Sequence, residues 1–448
     1  MLVCALVVPV ESVPLLAAES VRPIGVDSVD ITPDYPTRLT GFGGRKTESE
    51  GVAQRIHAKA LALGSDAEGP AVLVTVDNLG VSGEIRSELL RRLAPRTKLT
   101  PARFAICSSH THSAPMINGV APNIFSAVVP PDHQAHIDRY TRELTDHLEK
   151  VILAALADRQ PAHLAWKSGT VGFARNYSKT PFAPVDHDLP VLRVTSPEGK
   201  VRAILVSYAC HAETLSLNTV DGDWAGSAQL ALEADHPGAI AMVAIGCGAD
   251  QTPSQPIKAG HGGTQEMADA QGREIANEVK RLLLGGRWNP LAAPLAAATQ
   301  CIELPFDTLP TRAEWEARAA SKDRAMAFHA KKNLARLDRG EAIPTTLPYL
   351  VQVWSFGREL TMIFLPGEVV VDYSLRLKKE FDRTRLWVNA YSNDDPCYIP
   401  SERVLAEGGY RGGGAMAYYD RPTKFAPGVE DLVMGAVREL MPEEAPPP

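Results

Sequence analysis

Short apolar runs, each closed by a turn and followed by a stretch of helical periodicity, recur along this chain and restrict its fold more than any other feature. Ala71–Val76, Arg103–Cys107, Ala203–Ser207 and Ala241–Ile245 are too short for helices and read as buried strands. After the first run, Ile85, Leu89, Leu90 and Leu93 fall on one helical face. Tyr140 to Leu156 carries Leu144, Leu148, Val151, Ile152 and Ala155 as an apolar stripe, and Met267 to Leu284 is a further helix. The Pro-rich stretch Pro290–Pro294 interrupts the pattern. A helical segment (Arg312 to Asp338), a strand pair (Val351 to Leu365), a helix (Val369 to Phe381) and a strand (Leu386 to Ala390) follow it. Alternating strands and helices predict an α/β fold with a mixed, mostly buried sheet or sheets flanked by helices. The chain divides into an N-terminal segment, 1–22, a core running over 23–289, a second part, 290–442, that completes the same site, and a disordered tail, 443–448.

Of 448 residues, 45 % are hydrophobic and 22 % charged, so a folded globular protein is expected rather than a disordered one. The formal charge of -7 lacks the basic excess of a nucleic-acid binder. No apolar run approaches the roughly 18 residues of a membrane-spanning helix. At the N-terminus, Leu2–Val10 and Leu15–Ala18 are apolar, but Glu11 interrupts them and no basic residue precedes them. Two readings stand: an export leader, which places the protein in the periplasm or outside the cell, or a frayed or misassigned start. The six cysteines form no C-x-x-C pair, which argues against a cysteine zinc knuckle. Cys107, Cys210 and Cys247 each sit beside a strand end, where a small buried thiol is the ordinary reading.

Four metal-competent side chains stand just beyond four apolar runs: His110, His211, Glu368 and Tyr398. In open α/β sheets ligands bind outside the carboxyl ends of strands, so these groups can converge there. Two imidazoles with an oxygen ligand make a normal catalytic zinc shell. Each also has an ordinary reading. A histidine at a strand end is commonly just hydrogen-bonded, and Glu368 is well placed as an acid opening a helix. His110-Thr111-His112 adds weight to the metal reading, because residues two apart face the same way in extended chain. The motifs G-x-S-x-G, H-E-x-x-H, G-x-x-x-x-G-K-[ST] and G-x-G-x-x-G do not occur.

Ser108-Ser-His-Thr-His-Ser-Ala-Pro115 resembles a block of the neutral/alkaline non-lysosomal ceramidase family. Val29–Pro33, Arg55–Ala60, Val185–Val194 and Asn389–Ser392 with Tyr398 and Tyr410 are similar to further family blocks, in family order. The resemblance implies a zinc-dependent hydrolase that cleaves an N-acyl amide, ceramide or a related small-molecule or lipid compound, with activated water. It makes His110, His211, Glu368 and Tyr398 the zinc ligands, His112 the catalytic histidine, and Tyr410 and Arg175 the groups facing the developing oxyanion. A zinc esterase or carbohydrate deacetylase, and a zinc-containing binding protein without turnover, are the alternatives.

The sequence departs from the family pattern in three places. Asn176-Tyr177 replaces the usual Ser-Pro after Arg175. Gly246 is aligned with a family serine, which predicts that no covalent acyl-enzyme forms. The family's immunoglobulin-like C-terminal domain is expected to be missing beyond Pro448, which weakens ceramide itself as the substrate.

Overall fold

Alternate side chains of a strand point to opposite faces, and here both faces are covered. The computed structural model describes residues 21–178, 183–254 and 262–442. The N-terminal segment proposed as a leader lies almost wholly outside the described residues, and the expected tail, 443–448, lies outside them entirely.

The strands of the first part are β1 (Val21–Asp30), β2 (His57–Leu63), β3 (Ala71–Val76), β4 (Phe104–Ser108), β5 (Gln160–Thr170), β6 (Ala174–Asn176), β7 (Asp188–Thr195), β8 (Val201–Tyr208), β9 (Ile240–Ile245), β10 (Gln251–Pro253) and β11 (Asn289–Pro290). The second part holds β12 (Leu295–Pro305), β13 (Thr346–Phe356), β14 (Leu360–Phe364), β15 (Glu368–Val369), β16 (Leu386–Asn389) and β17 (Tyr398–Ile399). The helices are α1 (Gly83–Leu93), α2 (Pro131–Ala157), α3 (Asp223–Asp235), α4 (Gln265–Leu284), α5 (Arg312–Ala319), α6 (Arg324–Asp338), α7 (Val371–Glu380), α8 (Glu402–Glu407) and α9 (Val429–Leu440).

A nine-stranded sheet runs β4-β3-β2-β1-β5-β7-β8-β9, with β11 on β5, and a four-stranded sheet runs β12-β13-β14-β16. The β3–β4, β8–β9 and β14–β16 pairs are parallel and the other pairs in these sheets are antiparallel, so both sheets are mixed. The switch from one sheet to the other falls between Pro290 and Leu295.

The sheets pack on each other through alternate residues. Leu73, Leu205 and Met242 of the first meet Trp354, Phe364 and Trp387 of the second in one apolar layer. Their neighbours Val72, Val74, Ile204, Val206 and Val243 turn outward into a second core, which includes Leu144, Leu148 and Ile152 of α2. On the far side, Val351, Val353, Ile363 and Val388 join Val433 and Val437 of α9. The result is a helix–sheet–sheet–helix stack, which explains why the strands read as unbroken apolar runs.

Three details differ from the periodicity. α2 begins at Pro131, nine residues before Tyr140 (140 − 131), because proline suits a first helical position and the first turns are largely solvent-facing. The segment Arg312 to Asp338 is two helices; Asp323 breaks it by accepting from the Met326 amide at 3.1 Å and capping α6. Glu368 does not open a helix. It lies in β15, paired in parallel with Tyr398 of β17, and α7 starts only at Val371. The Glu368 amide donates to the Cys397 carbonyl at 3.0 Å, so tertiary pairing overrides the local helical signal.

Trp354 is fully buried between the sheets and donates its indole N–H to the Ala102 carbonyl at 2.8 Å. Trp354→Ala should therefore cost about 3–5 kcal/mol in chemical denaturation. A loss under about 1 kcal/mol would mean that the inter-sheet layer is not the core that it forms here.

Candidate metal centre

The carboxyl ends of four strands from two sheets are joined at one place. The Ser108 amide, ending β4, donates to the Tyr391 carbonyl at 3.0 Å. The Ala390 amide, just past β16, donates to the Ile245 carbonyl of β9 at 2.9 Å. Thr111 and Ala212 form a further bridge between the segments following β4 and β8. This stitching brings His110, His211, Glu368 and Tyr398 together although up to 288 positions separate them (398 − 110).

The orientation of the two imidazoles follows from their backbone partners. His110 Nδ1 lies 2.7 Å from the Leu79 carbonyl, and His211 Nδ1 lies 2.8 Å from the Gly248 carbonyl. A carbonyl only accepts, so each Nδ1 carries the proton and each Nε2 of a neutral ring presents a bare lone pair. Both Nε2 atoms face one carboxylate oxygen: Glu368 Oε2 is 3.1 Å from His211 and 3.4 Å from His110. The other oxygen, Oε1, accepts from the Tyr419 hydroxyl. The Tyr398 hydroxyl stands 3.4 Å from His211 Nε2. His110, His211 and Glu368 are all at most 2 % exposed.

Lone pairs and a carboxylate oxygen gathered in a dry place repel one another unless a positive charge lies among them. Protons on both rings would supply it, but two neighbouring imidazolium ions, with ring centroids 4.8 Å apart, would then oppose each other. One divalent cation satisfies all the donors at once. The backbone acceptors behind each Nδ1 are the outer hydrogen bonds that orient metal-ligating histidines. The donor set of two imidazoles, a carboxylate and a phenol thus fits a metal ion.

His112 completes a group of three buried histidines whose donor atoms all lie within 4.8 Å of one another, a group that can hold a metal ion. It differs from the other two. Its Nε2 is 3.3 Å from that of His110, and its buried Nδ1 has no hydrogen-bond partner among the described residues. Phe42 packs edge-on to the ring at 5.0 Å. Gly41, at φ +90°, lies so close that any Cβ there would meet the His112 side chain at 2.6 Å. Burial, with His110 and His211 adding to it, pushes the His112 imidazole well below its ordinary range. Burial raises the Glu368 carboxyl, but the charges and hydrogen bonds of His110 and His211 outweigh it, and the group sits well below the usual carboxylate range.

The remaining expected residues are not all gathered. Tyr410 packs against Tyr398 with centroids 5.4 Å apart and is 45 % exposed, at the rim of the cluster. Arg175 is exposed on β6, opposite Thr252 of β10, and no described contact joins it to the histidines. Gly246 lines a small cavity with Ala209, Asp186 and Lys378. The five described cysteines are free, four of them buried.

Sequence reasoning passed over three groups as parts of the site. Tyr419 orients Glu368 from 51 positions away. Tyr391 lays its ring 4.3 Å from that of His110. Asp395 is buried, with neither carboxylate oxygen hydrogen-bonded among the described residues, and burial together with Glu368 pushes it well above the usual range. Tyr391 falls within a quoted family block. Nothing local marked Asp395.

Residues 23–245 match the profile described as neutral/alkaline non-lysosomal ceramidase, N-terminal. The chain superposes on a ceramidase complexed with C2 at a TM-score of 0.72, with 16 % identity, over 96 % of this chain and 78 % of that one. It superposes on neutral ceramidase from Pseudomonas aeruginosa at a TM-score of 0.71, with 18 % identity, over 95 % of this chain and 76 % of that one. No curated protein matches the chain by sequence.

The donor geometry predicts about one tightly held divalent ion per chain in elemental analysis. His110→Ala and His211→Ala should each lose it. Full metal retention in both variants would contradict the cluster as a cation site.

Proposed function

Because this chain belongs to the neutral/alkaline non-lysosomal ceramidase family, whose N-terminal region its residues 23–245 match, we propose that it is a zinc-dependent amidohydrolase acting on N-acyl compounds. The observation that carries the zinc reading is the convergence of two Nδ1-anchored imidazoles on the Glu368 carboxylate. His110, His211, Glu368 and Tyr398 would hold the ion. Bound there, zinc supplies Lewis-acid chemistry: it lowers the pKa of water to about 7 and polarises a carbonyl.

The protein's own groups supply the proton traffic. His112 stands beside the cluster, its Nε2 3.3 Å from that of His110, where it would take a proton from the attacking water. The same atom then returns it to the departing amine nitrogen, which leaves protonated as the amide C–N bond breaks. Phe42 and Gly41 fix the ring for this transfer. Tyr410, at the rim and in contact with Tyr398, would donate its hydroxyl proton in a hydrogen bond to the oxyanion. Arg175 would share this task from the β6 edge.

A groove of about 660 Å³ adjoins Tyr410, lined on part of its wall by Met326, Leu405 and Met416 and elsewhere by Arg318, Asp323, Arg421 and Lys424. It offers an acyl chain a place beside the reacting centre, where each buried CH₂ is worth about 0.8 kcal/mol. Activity should therefore rise with acyl length in a kcat/KM series until the groove is filled. A maximum at the acetyl group would instead indicate a deacetylase.

His112→Ala should keep its zinc and lose roughly 100-fold or more in kcat on an N-acyl amide, the scale of general acid–base catalysis. Loss of zinc from this variant would make His112 a ligand and reverse its division of labour with the other histidines.

A further inference from the structure

We infer that Arg411 is a carboxylate receptor beside the scissile amide, and that the preferred substrates of this chain are N-acyl amino acids. The inference rests on the amidase reading above and names the substrate class of that same site.

Arg411 follows Tyr410 in a glycine-rich stretch. It is held in two ways. Its Nε–H donates to the Ala249 carbonyl at 2.8 Å, and its guanidinium carbon lies 3.7 Å from the centroid of the Tyr177 ring. Tyr177 is one of the positions at which the sequence departs from the family pattern. The same guanidinium carbon is 6.0 Å from the ring centroid of Tyr398 and 5.9 Å from that of Tyr410. The charge therefore stands next to a candidate metal ligand and next to the candidate oxyanion donor.

Nothing among the described residues accepts a hydrogen bond from Nη1 or Nη2 of Arg411, although the side chain is partly buried. The nearby acids are engaged elsewhere. Glu213 accepts from the Thr252 hydroxyl at 2.7 Å, and Glu368 is taken by His110, His211 and Tyr419. Glu213 lies near enough to act electrostatically on Arg411 but makes no ion pair with it among the described residues, and a purely structural arginine would need its anchored Nε and its stacked face, but not two unpaired Nη groups at its end. That planar end matches a carboxylate in bidentate fashion.

The distance to the reacting centre selects the substrate. In an N-acyl amino acid the carboxyl carbon lies about 2.5 Å from the amide nitrogen, two bonds away. A receptor adjoining Tyr398 and Tyr410 suits an anion that close to the scissile bond. A neutral sphingoid amine would bring a hydroxyl there and offer the guanidinium only a neutral acceptor. In the reaction, the acyl carbon–nitrogen bond breaks and water oxygen bonds to the acyl carbon. The products are a fatty acid and the free amino acid, whose nitrogen takes the proton relayed by His112.

The test compares N-octanoylglycine with its neutral isostere N-octanoylglycinamide on the zinc-loaded full chain. The acid should have a kcat/KM roughly 10- to 100-fold higher, the scale of a charged hydrogen bond. Arg411→Gln should collapse that ratio, and Arg411→Lys should restore only part of it. Calorimetry on the zinc-loaded wild-type chain with the non-hydrolysable sulfonamide analogues of the two compounds should show the acid binding at least tenfold more tightly than the amide, which reads the receptor without catalysis and without relying on a variant. Cleavage of both compounds at similar rates, or an equal loss on both in Arg411→Gln, would overturn the inference while leaving the amidase reading intact. Cleavage of neither would overturn the amidase reading and this inference with it.

Discussion

Two carbonyl oxygens, those of Leu79 and Gly248, decide the chemistry of this molecule. By accepting from Nδ1 of His110 and His211 they turn both Nε2 lone pairs toward Glu368, an arrangement that can hold a metal ion at its centre. Tyr419 finishes the arrangement by occupying one carboxylate oxygen and leaving the other to the site. The outer hydrogen bonds thus specify the function of the inner groups as much as the inner residue types do.

The two-sheet architecture exists around this constraint. β4 and β8 belong to one sheet and β14 and β16 to the other, yet their carboxyl ends are tied by backbone hydrogen bonds within a few residues of the cluster. The shared apolar layer of Leu205, Met242, Trp354 and Trp387 holds the sheets in the register that these bonds need. A disturbance far down that layer would loosen the ligand geometry as well as the fold, since packed interiors transmit strain. The ceramidase family match accounts for the hydrolase character, while Arg411, stacked on Tyr177, places a cation beside the cluster.

How much of this could be read from residues alone depended on locality. The strands around Ala71, Phe104, Ala203 and Ala241 were legible because burial on both faces leaves an unbroken apolar run. β1 was not readable from periodicity, because Arg22, Pro23, Asp27 and Asp30 interrupt it and most of its residues are only partly buried. His110-Thr111-His112 was legible as a motif, and Glu368 and Tyr398 as residues beyond strand ends. The local setting of Glu368 was not, because its strand pairing with Tyr398 spans 30 positions (398 − 368) and no periodicity reports it. The same holds for Tyr419, Asp395 and Arg411, whose roles come entirely from contacts across the fold. Arg175 shows the reverse case: it matches the family pattern in sequence, while the structure leaves its side chain exposed at a strand edge.

Anomalous X-ray diffraction from zinc-loaded crystals, collected on both sides of the zinc absorption edge, tests the central claim most directly. The account predicts one edge-dependent peak bonded to Nε2 of His110, Nε2 of His211, Oε2 of Glu368 and the Tyr398 hydroxyl oxygen, with His112 beside it and not bonded to it. No peak among these atoms, or a peak bonded to His112 in place of Glu368, would contradict it.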